Sequence, residues 1–373
     1  MLIGVYPTLS PAQLAAALAP RITKPTFPFT DPRLVLTHLG RGAVWLALRA
    51  MGLGPGSRLA MPAYHCGSEV EAARLAGVDV RFYRVDASLT VDEDDMAKVA
   101  ADADATYVIS HFGFPPPPPP PGARVVADLA HGLFSSGPGG PLGAGAEAAV
   151  FCPRKSLGVP DGGAVLSTAP VTAPGGHPPP RRVLRSVAAL AVGRAALSPR
   201  RPVRRLAARA LGRASRGDAA LAQGRLTETV IGEWDLQAAD LETAASGPSW
   251  LTRRIAVAAD GEAIRARRRL NYERLARDLG PACPEPLREL PPGTCPLYFP
   301  VLAPERATAM AGLLARGVRA VEIWPVPHPL LDRDRFAELE PLRRGLVALP
   351  VHHDLEPWHA DIVARAATEV LRP

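Results

Sequence analysis

The sequence predicts an α/β protein whose large domain has a mainly parallel sheet flanked by helices, followed by a small α/β domain. Between about residues 40 and 130, apolar runs typical of strands alternate with helical segments, as in doubly wound sheets. The pattern changes near Trp250, and strands and helices then alternate again towards the C-terminus. A chain of 373 residues also exceeds one ordinary core, which favours two domains.

The first predicted helix lies in the segment THLGRGAVWLALRAMGLGPG, where Gly54 and Pro55 end it. Gly40, Arg41 and Gly42 stand at its start. Free backbone N–H groups and the helix dipole favour a phosphate there, glycine permits close approach, and arginine can add a bidentate contact. A plain helix-opening turn is the alternative interpretation.

The alternation continues with predicted strands in SRLAMPAYHC, VDVRFYRV and TYVISHFG, and with helices over residues 67–76 and within DEDDMAKVAA. Ligands of such sheets bind at the carboxyl ends of the strands. Tyr64, His65 and Cys66 lie at one such end. Tyr64 or His65 is therefore a candidate to stack on a flat cofactor, and a strand-end cap is the alternative.

Seven consecutive prolines occupy positions 115–121. A helix cannot form there, so we expect an extended polyproline connection in place of a crossover helix. A binding site for a proline-recognising module is the alternative.

Two neighbouring strand ends carry an acid and an amine. The strand ARVVAD ends at Asp128, and EAAVFCPRKSLGVPDGGAVLS places Lys155 between two strands. A pyridoxal phosphate enzyme needs this pair, because the amine forms a Schiff base with the cofactor aldehyde and the carboxylate keeps the pyridine nitrogen protonated. Ala130 is small enough for a ring to lie against it. His131 is either a cofactor or substrate contact or a structural histidine, and Arg154 would favour a neutral amine.

Composition excludes several other classes. The chain is 47% hydrophobic and 21% charged, which is typical of globular proteins, and it has no apolar run long enough to span a membrane. The N-terminus does not resemble a signal peptide. Four scattered cysteines predict reduced thiols, and hence a cytoplasmic protein. Only Lys24, Lys98 and Lys155 can supply an amine nucleophile.

Positive charge is concentrated in residues 181–216, which contain eleven arginines and no acid, in a chain of net charge +7. The basic balance therefore belongs to one segment and does not indicate a nucleic-acid-binding fold. Its second helical piece starts near Pro202 and is predicted to be amphipathic, with an apolar face of Val203, Leu206, Ala207, Ala210 and Leu211 opposite Arg205, Arg209 and Arg213. The helix could contact an anionic membrane or a diphosphate-bearing substrate, or pack on its own protein with a solvated basic face.

The C-terminal part predicts a long helix in IAVAADGEAIRARRRLNYERLARDLG, a strand in PLYFPVL, a helix in RATAMAGLLARGV and a final strand–loop–helix. His352, His353 and His359 do not share a ligand face, so no metal site is expected. The predicted organisation is an N-terminal arm over 1–30, a large domain over 31–245 with an arginine-rich insertion at 168–217, and a small domain over 246–373.

These segments together resemble the DegT/DnrJ/EryC1/StrS family of sugar aminotransferases, which are fold type I pyridoxal phosphate enzymes. The likeness runs from about residue 40 to 371 and is weak between 168 and 245. The segments that carry it, in family order, are LGRGAVWLAL, MPAYHC, SHFGFP, ADLAH, FCPRKSLGVPDGGAVLS, RRRLNYERL and LPVHHDLEPWH.

The resemblance implies that Lys155 binds the cofactor aldehyde, that Asp128 partners the pyridine nitrogen and that Ala130 lies beneath the ring. It also implies that residues 40–42 face the phosphate and that the protein is a homodimer with active sites at its interface. The implied reaction moves an amino group from an amino acid, with glutamate as the expected donor, to a nucleotide-linked keto-sugar. Such sugars serve cell-surface polysaccharide or natural-product synthesis.

Some positions depart from the family pattern. Val150 replaces a serine that usually contacts the phosphate, and His131 replaces the usual glutamine. Lysine at 155, where the dehydrase variants have histidine, favours amino transfer. Two alternatives remain open at this stage: a non-catalytic binding or regulatory protein of this fold at a membrane surface, and a pyridoxal phosphate enzyme acting on a small amino acid.

Overall fold

A computed structural model describes residues 1–18, 25–217 and 236–371 of the chain. Its strands are β1 (Ile3–Gly4), β2 (Val35–Thr37), β3 (Arg58–Pro62), β4 (Asp79–Tyr83), β5 (Ala105–Ile109), β6 (Val125–Leu129), β7 (Ser136–Gly137), β8 (Gly140–Pro141), β9 (Ala148–Phe151), β10 (Gly163–Ser167), β11 (Tyr298–Leu302), β12 (Val318–Arg319), β13 (Val321–Glu322) and β14 (Leu346–Pro350).

The helices of the described residues come in the same order. They are α1 (Pro11–Leu18), α2 (Gly40–Ala50), α3 (Ser68–Leu75), α4 (Glu93–Ala101), α5 (Pro153–Ser156), α6 (Pro180–Ala196), α7 (Arg201–Gly217), α8 (Ala238–Ala245), α9 (Trp250–Ala258), α10 (Gly261–Leu279), α11 (Arg306–Ala315), α12 (Glu340–Gly345) and α13 (Pro357–Leu371).

The large domain contains a seven-stranded sheet in the order β2-β10-β9-β6-β5-β3-β4. Strands β4, β3, β5, β6 and β9 pair in parallel, and β10 runs antiparallel to both β9 and β2. Apart from the edge strand β4, the parallel strands are almost wholly buried, because helices cover both faces of such a sheet. The predicted α/β architecture is confirmed, and the parallel strands direct their carboxyl ends towards one edge.

The C-terminal part forms a second, antiparallel sheet in the order β11-β14-β13. The N-terminal arm reaches this part of the molecule, because β1 pairs in parallel with β12. One hydrophobic core runs through both sheets: it joins Leu46 of α2 and Tyr107 of β5 to Tyr298 of β11 and Val363 of α13. The two parts are therefore packed as one unit.

The structure corrects one predicted element, the long helix that was expected to start at Ile255. That segment forms two helices, α9 and α10, which are separated at Ala259 and Asp260. Asp260 begins α10 by accepting the N–H of Ala263 at 3.0 Å. Gly261 is required next to it, since a Cβ there would lie 2.6 Å from Cδ1 of Phe134. The connection over 115–121 has no helix, as its prolines predict.

The arginine-rich insertion forms the packed helix pair α6–α7. It is anchored to the rest of the protein by Arg194, whose Nη1 lies 3.5 Å from Asp354 Oδ1, and by Leu197, whose carbonyl oxygen lies 3.3 Å from His359 Nε2. The amphipathic face predicted for α7 is only partly buried: Ala207 is covered, but Leu206 is 70% exposed. The side chains of Leu211 and Arg213 lie outside the described residues. Within the described ranges, no helix is long and apolar enough to cross a bilayer.

Candidate active site

A cavity of about 330 Å³ opens at the carboxyl ends of the central strands. Its size is within the range of ~300–1,000 Å³ that small-molecule sites occupy. Three consecutive strands of the sheet supply its floor, because their ends lie side by side in the register Ile109–Asp128–Val150. The start of α2, the turn around Lys155, Trp324 of the C-terminal part and two residues of α6 complete its wall.

Asp128, the predicted acid, is buried at the end of β6 and lines this cavity. Its Oδ2 accepts the hydroxyl of Tyr107 at 2.7 Å, and its Oδ1 accepts the N–H of Ala130 at 2.8 Å. Burial, and then the negative charge of Asp128, raises the pKa of Tyr107 well above its usual value, so this phenol remains a hydrogen-bond donor. The carboxylate is thereby held in one orientation, as a partner for a cation in the cavity.

Lys155, the predicted amine, lies in the single turn α5 and lines the same cavity. Its Nζ is 2.9 Å from Nε2 of His131, and Nδ1 of that ring accepts the N–H of Phe112 at 3.4 Å. With Nδ1 bonded to the backbone, Nε2 is the ring nitrogen that faces the lysine amine. The ring also stacks on Trp324, with centroids 5.6 Å apart. His131 is therefore built into the site.

Gly40 and Arg41, at the first turn of α2, line the cavity as predicted, and so does Ala130. Gly42 does not line the cavity, and glycine is required at this position for a different reason. A Cβ at this position would lie 2.2 Å from the backbone carbon of Ala244, so glycine is needed for α2 to pack against α8. The Gly-Arg-Gly pattern thus combines two cavity residues with one packing residue.

Tyr64 and His65 are not part of the cavity lining, although Cys66 beside them is. Tyr64 is buried and donates its hydroxyl to the carbonyl oxygen of Ile323 at 3.0 Å. His65 stacks on Phe82 with ring centroids 5.2 Å apart, and burial lowers its pKa well below the usual value. Both aromatic side chains serve the packing between elements, and the stacking role predicted for one of them does not fit this placement.

Sequence reasoning missed Glu69, which lines the cavity from the first turn of α3. Its Oε1 accepts the N–H of Cys66 at 3.0 Å and its Oε2 accepts the thiol of the same residue at 2.7 Å. Burial, and then the charge of Asp128, raises the pKa of Glu69. The carboxyl of Glu69 therefore takes up a proton more readily than an ordinary glutamate does. The only sequence signal for its place in the cavity is its position in the first turn of the helix that follows β3.

Trp324 was also missed, because it is far downstream in the sequence. It lines the cavity with a backbone φ of 43°, an uncommon conformation for a residue other than glycine. Arg343 fixes this segment by donating to the carbonyl oxygen of Trp324 at 3.1 Å and to that of Ala63 at 3.0 Å. One buried guanidinium therefore ties the C-terminal part of the site to the end of β3.

Of the other lysines within the described ranges, Lys98 does not line this cavity. Lys98 is exposed on α4, and Lys24 lies outside the described residues. Two residues of α6, Arg182 and Ser186, reach the cavity from the arginine-rich insertion, which the sequence alone could not place.

No protein-family model and no curated protein sequence matches this chain. Solved structures do match it over nearly its whole length. The sugar aminotransferase CalS13 from Micromonospora echinospora has a TM-score of 0.61 at 17% identity, covering 99% of this chain and 100% of that one. A DegT DnrJ EryC1 StrS aminotransferase from Brucella abortus has a TM-score of 0.60 at 16% identity, with 97% and 96% covered. The PLP-form of the candidate sugar aminotransferase Spr1654 from Streptococcus pneumoniae gives 0.64 at 14% identity, with 99% and 98% covered.

The chain therefore has the fold of the sugar aminotransferases of the DegT/DnrJ/EryC1/StrS type, and the predicted fold class is confirmed. The contents of the cavity fit pyridoxal phosphate on their own chemistry. An oriented carboxylate, an amine hydrogen-bonded to a histidine and an arginine at the first turn of a helix face one space. These three groups correspond to the ring nitrogen, the aldehyde and the phosphate of that cofactor.

Proposed function

We propose that this protein is a pyridoxal 5′-phosphate-dependent aminotransferase that acts on a keto-sugar. One observation carries the proposal: Asp128 and Lys155, 27 positions apart in the sequence, line one cavity in a fold shared with sugar aminotransferases. The finer proposal is amino transfer from glutamate to a nucleotide-linked keto-sugar, for polysaccharide or natural-product synthesis. We further propose that the enzyme is a cytoplasmic homodimer.

When bound, pyridoxal phosphate supplies an aldehyde that takes up amino groups and a ring that accepts electrons. Asp128 would hold the proton on the ring nitrogen, and its bond from Tyr107 fixes the oxygen that does so. Gly40 and Arg41 would bind the phosphate through the free N–H groups of α2 and a guanidinium.

Lys155 would act as the general base and acid at the substrate carbon that gains or loses the amino group. Proton uptake requires the uncharged form of this amine, whose Nζ lies 2.9 Å from Nε2 of His131. His131 also positions the amine, because its own ring is held by Phe112 and Trp324.

Lysine replacement tests this proposal directly. The purified protein with added pyridoxal phosphate is expected to develop a visible absorbance band, which Lys155→Ala should abolish together with amino transfer. Lys98→Ala removes an exposed lysine and serves as the matched control, with spectrum and activity expected to persist. A parent protein without any such band, or a Lys155→Ala variant that retains it, would refute the proposal.

Single-turnover half-reactions distinguish the substrate classes. Loss of the visible band with glutamate, and its return with a nucleotide-linked keto-sugar, would support the finer proposal. Return of the band only with small keto acids would instead identify an enzyme of amino acid metabolism. Cofactor binding without any half-reaction would favour the non-catalytic alternative, which the valine at position 150 of the cavity motivates.

A further inference from the structure

The helix pair α6–α7 has an outer surface that combines arginines with exposed leucines. On α6, Arg181, Leu184 and Arg185 are spaced for one helix face, and all three are exposed. On α7, the exposed side chains include those of Arg201, Val203, Arg205, Leu206 and Arg209. These eight residues are called the hairpin surface below. Leu184 and Leu206 are each 70% exposed, which is close to the largest exposure of any large apolar side chain in the described part of the protein.

The charge of this surface is of one sign. Residues 181–216 contain eleven arginines and no aspartate or glutamate. Among the described side chains of this segment, some arginines have partners. Arg194 pairs with Asp354, and Arg204 donates to the carbonyl oxygens of Ser198 and Pro199. Unpaired guanidinium groups beside exposed leucines match the chemistry of an anionic lipid surface, where the charges meet headgroups and the leucines enter the apolar boundary.

Other occupants match this surface less well. A second copy of the chain whose hairpin surface met this one across a two-fold axis would place arginines against arginines with no acid to separate them. Nucleic acid would meet a segment that has no aromatic residue for stacking between 178 and 217 and that presents leucines instead. A negatively charged membrane uses both the charge and the apolar side chains.

The same helices also belong to the catalytic cavity. Arg182 and Ser186 are spaced i, i+4 on the face of α6 beside the hairpin surface, and both line the cavity. The anchors of the helix pair at Asp354 and His359 keep this relation fixed. A membrane that bound the hairpin surface would therefore lie next to the mouth of the cavity.

We propose that the hairpin surface docks the protein on an anionic lipid bilayer, so that the cavity mouth lies at the membrane. Docking does not depend on the proposed amino transfer. The Lys155→Ala variant should bind membranes as well as the parent protein does, so failure of one proposal can be told from failure of the other.

Vesicle flotation with the full-length protein and added pyridoxal phosphate tests this docking. We expect binding to phosphatidylcholine vesicles that contain phosphatidylglycerol, weaker binding at high salt, and none to phosphatidylcholine alone. Arg181→Gln with Arg185→Gln should weaken binding by about fivefold for each arginine. The matched pair Arg277→Gln with Arg365→Gln removes two exposed arginines of α10 and α13, and should leave binding within about twofold.

The apolar contribution is tested separately. Leu184→Asp with Leu206→Asp should abolish flotation, whereas Leu270→Asp with Leu314→Asp, which changes exposed leucines elsewhere, should not. Circular dichroism shows that each variant is folded. Equal binding to neutral vesicles, no binding to anionic ones, or hairpin variants that bind like the parent would each overturn the docking. A hairpin variant with a changed oligomeric state in sedimentation would overturn it too, since the surface would then be a subunit contact.

Discussion

Replacement of Arg343 by methionine should loosen the connection between the two parts of the active site. The guanidinium is buried on α12 and donates to the carbonyl oxygens of Ala63, at the end of β3, and Trp324, in the cavity wall. It also lies over the ring of Tyr64, with Cζ 5.3 Å from the ring centroid. Methionine keeps most of the aliphatic volume but leaves two buried carbonyl groups without these donors.

Each unsatisfied buried carbonyl costs about 1–3 kcal/mol, and part of this is offset because a buried cation no longer has to be desolvated. We therefore expect the free energy of unfolding to fall by about 2–4 kcal/mol. Affinity for pyridoxal phosphate should fall as well, because Trp324 and the stacked His131 ring lose their fixed position.

The adjacent Arg344 provides a matched control. Its side chain is 76% exposed and pairs only with Glu340 on the same helix among the described residues. Arg344→Met should change the free energy of unfolding by less than about 1 kcal/mol, as is usual for surface ion pairs. Urea unfolding monitored by tryptophan fluorescence measures both variants. Equal losses of stability at the two positions would refute the role assigned to Arg343.

Two further predictions concern cofactor binding and pH. Val150→Ser adds a hydroxyl where the cavity has an apolar wall. It should lower the stability of the apoprotein and, through a new hydrogen bond to the phosphate, tighten pyridoxal phosphate binding about tenfold; unchanged or weaker binding in a cofactor titration would contradict this. Burial lowers the pKa of His111 to about 4 and that of His352 to about 3, from an ordinary value of 6.5. The unfolded chain then binds more protons below about pH 6.5, so stability should fall as the pH decreases from there, by up to about 1.4 kcal/mol per pH unit for each histidine. His352→Gln should flatten this dependence in urea midpoints measured across the acid range, and an unchanged slope would count against it.

The sequence predicted the order of strands and helices in the large domain because each element carries its own local pattern. Asp128 and Lys155 could be expected in one place for the same reason, since Asp128 lies at the end of β6 and Lys155 follows β9, and these parallel strands end at one edge of the sheet. Glu69 and Trp324 were not found, because their place in the cavity depends on the turn of a helix and on the packing of a distant segment. Local patterns do not contain that information.

Tyr64, His65 and Gly42 were predicted to contact the cofactor, but they do not line the cavity. An aromatic residue at a strand end and a glycine at a helix start are local signals that predict ligand contact. The structure uses them instead for a hydrogen bond to Ile323, a stack on Phe82 and close packing on Ala244. The break between α9 and α10 was visible in the Asp-Gly pair at 260–261, and the apolar periodicity around it obscured this signal.

The proline connection between β5 and β6 has a consequence for folding during synthesis. A crossover helix would cover its own part of the sheet as soon as it left the ribosome, but this connection contributes none. Phe114 at its start packs instead on Tyr272 of α10, and Phe112 accepts the N–H of Leu297 at 2.8 Å. At ~5–20 residues per second, these downstream partners emerge roughly ten seconds or more after the strands they cover. Until then, the central sheet of the nascent chain is partly uncovered. Chaperone binding is expected to be greatest in that interval.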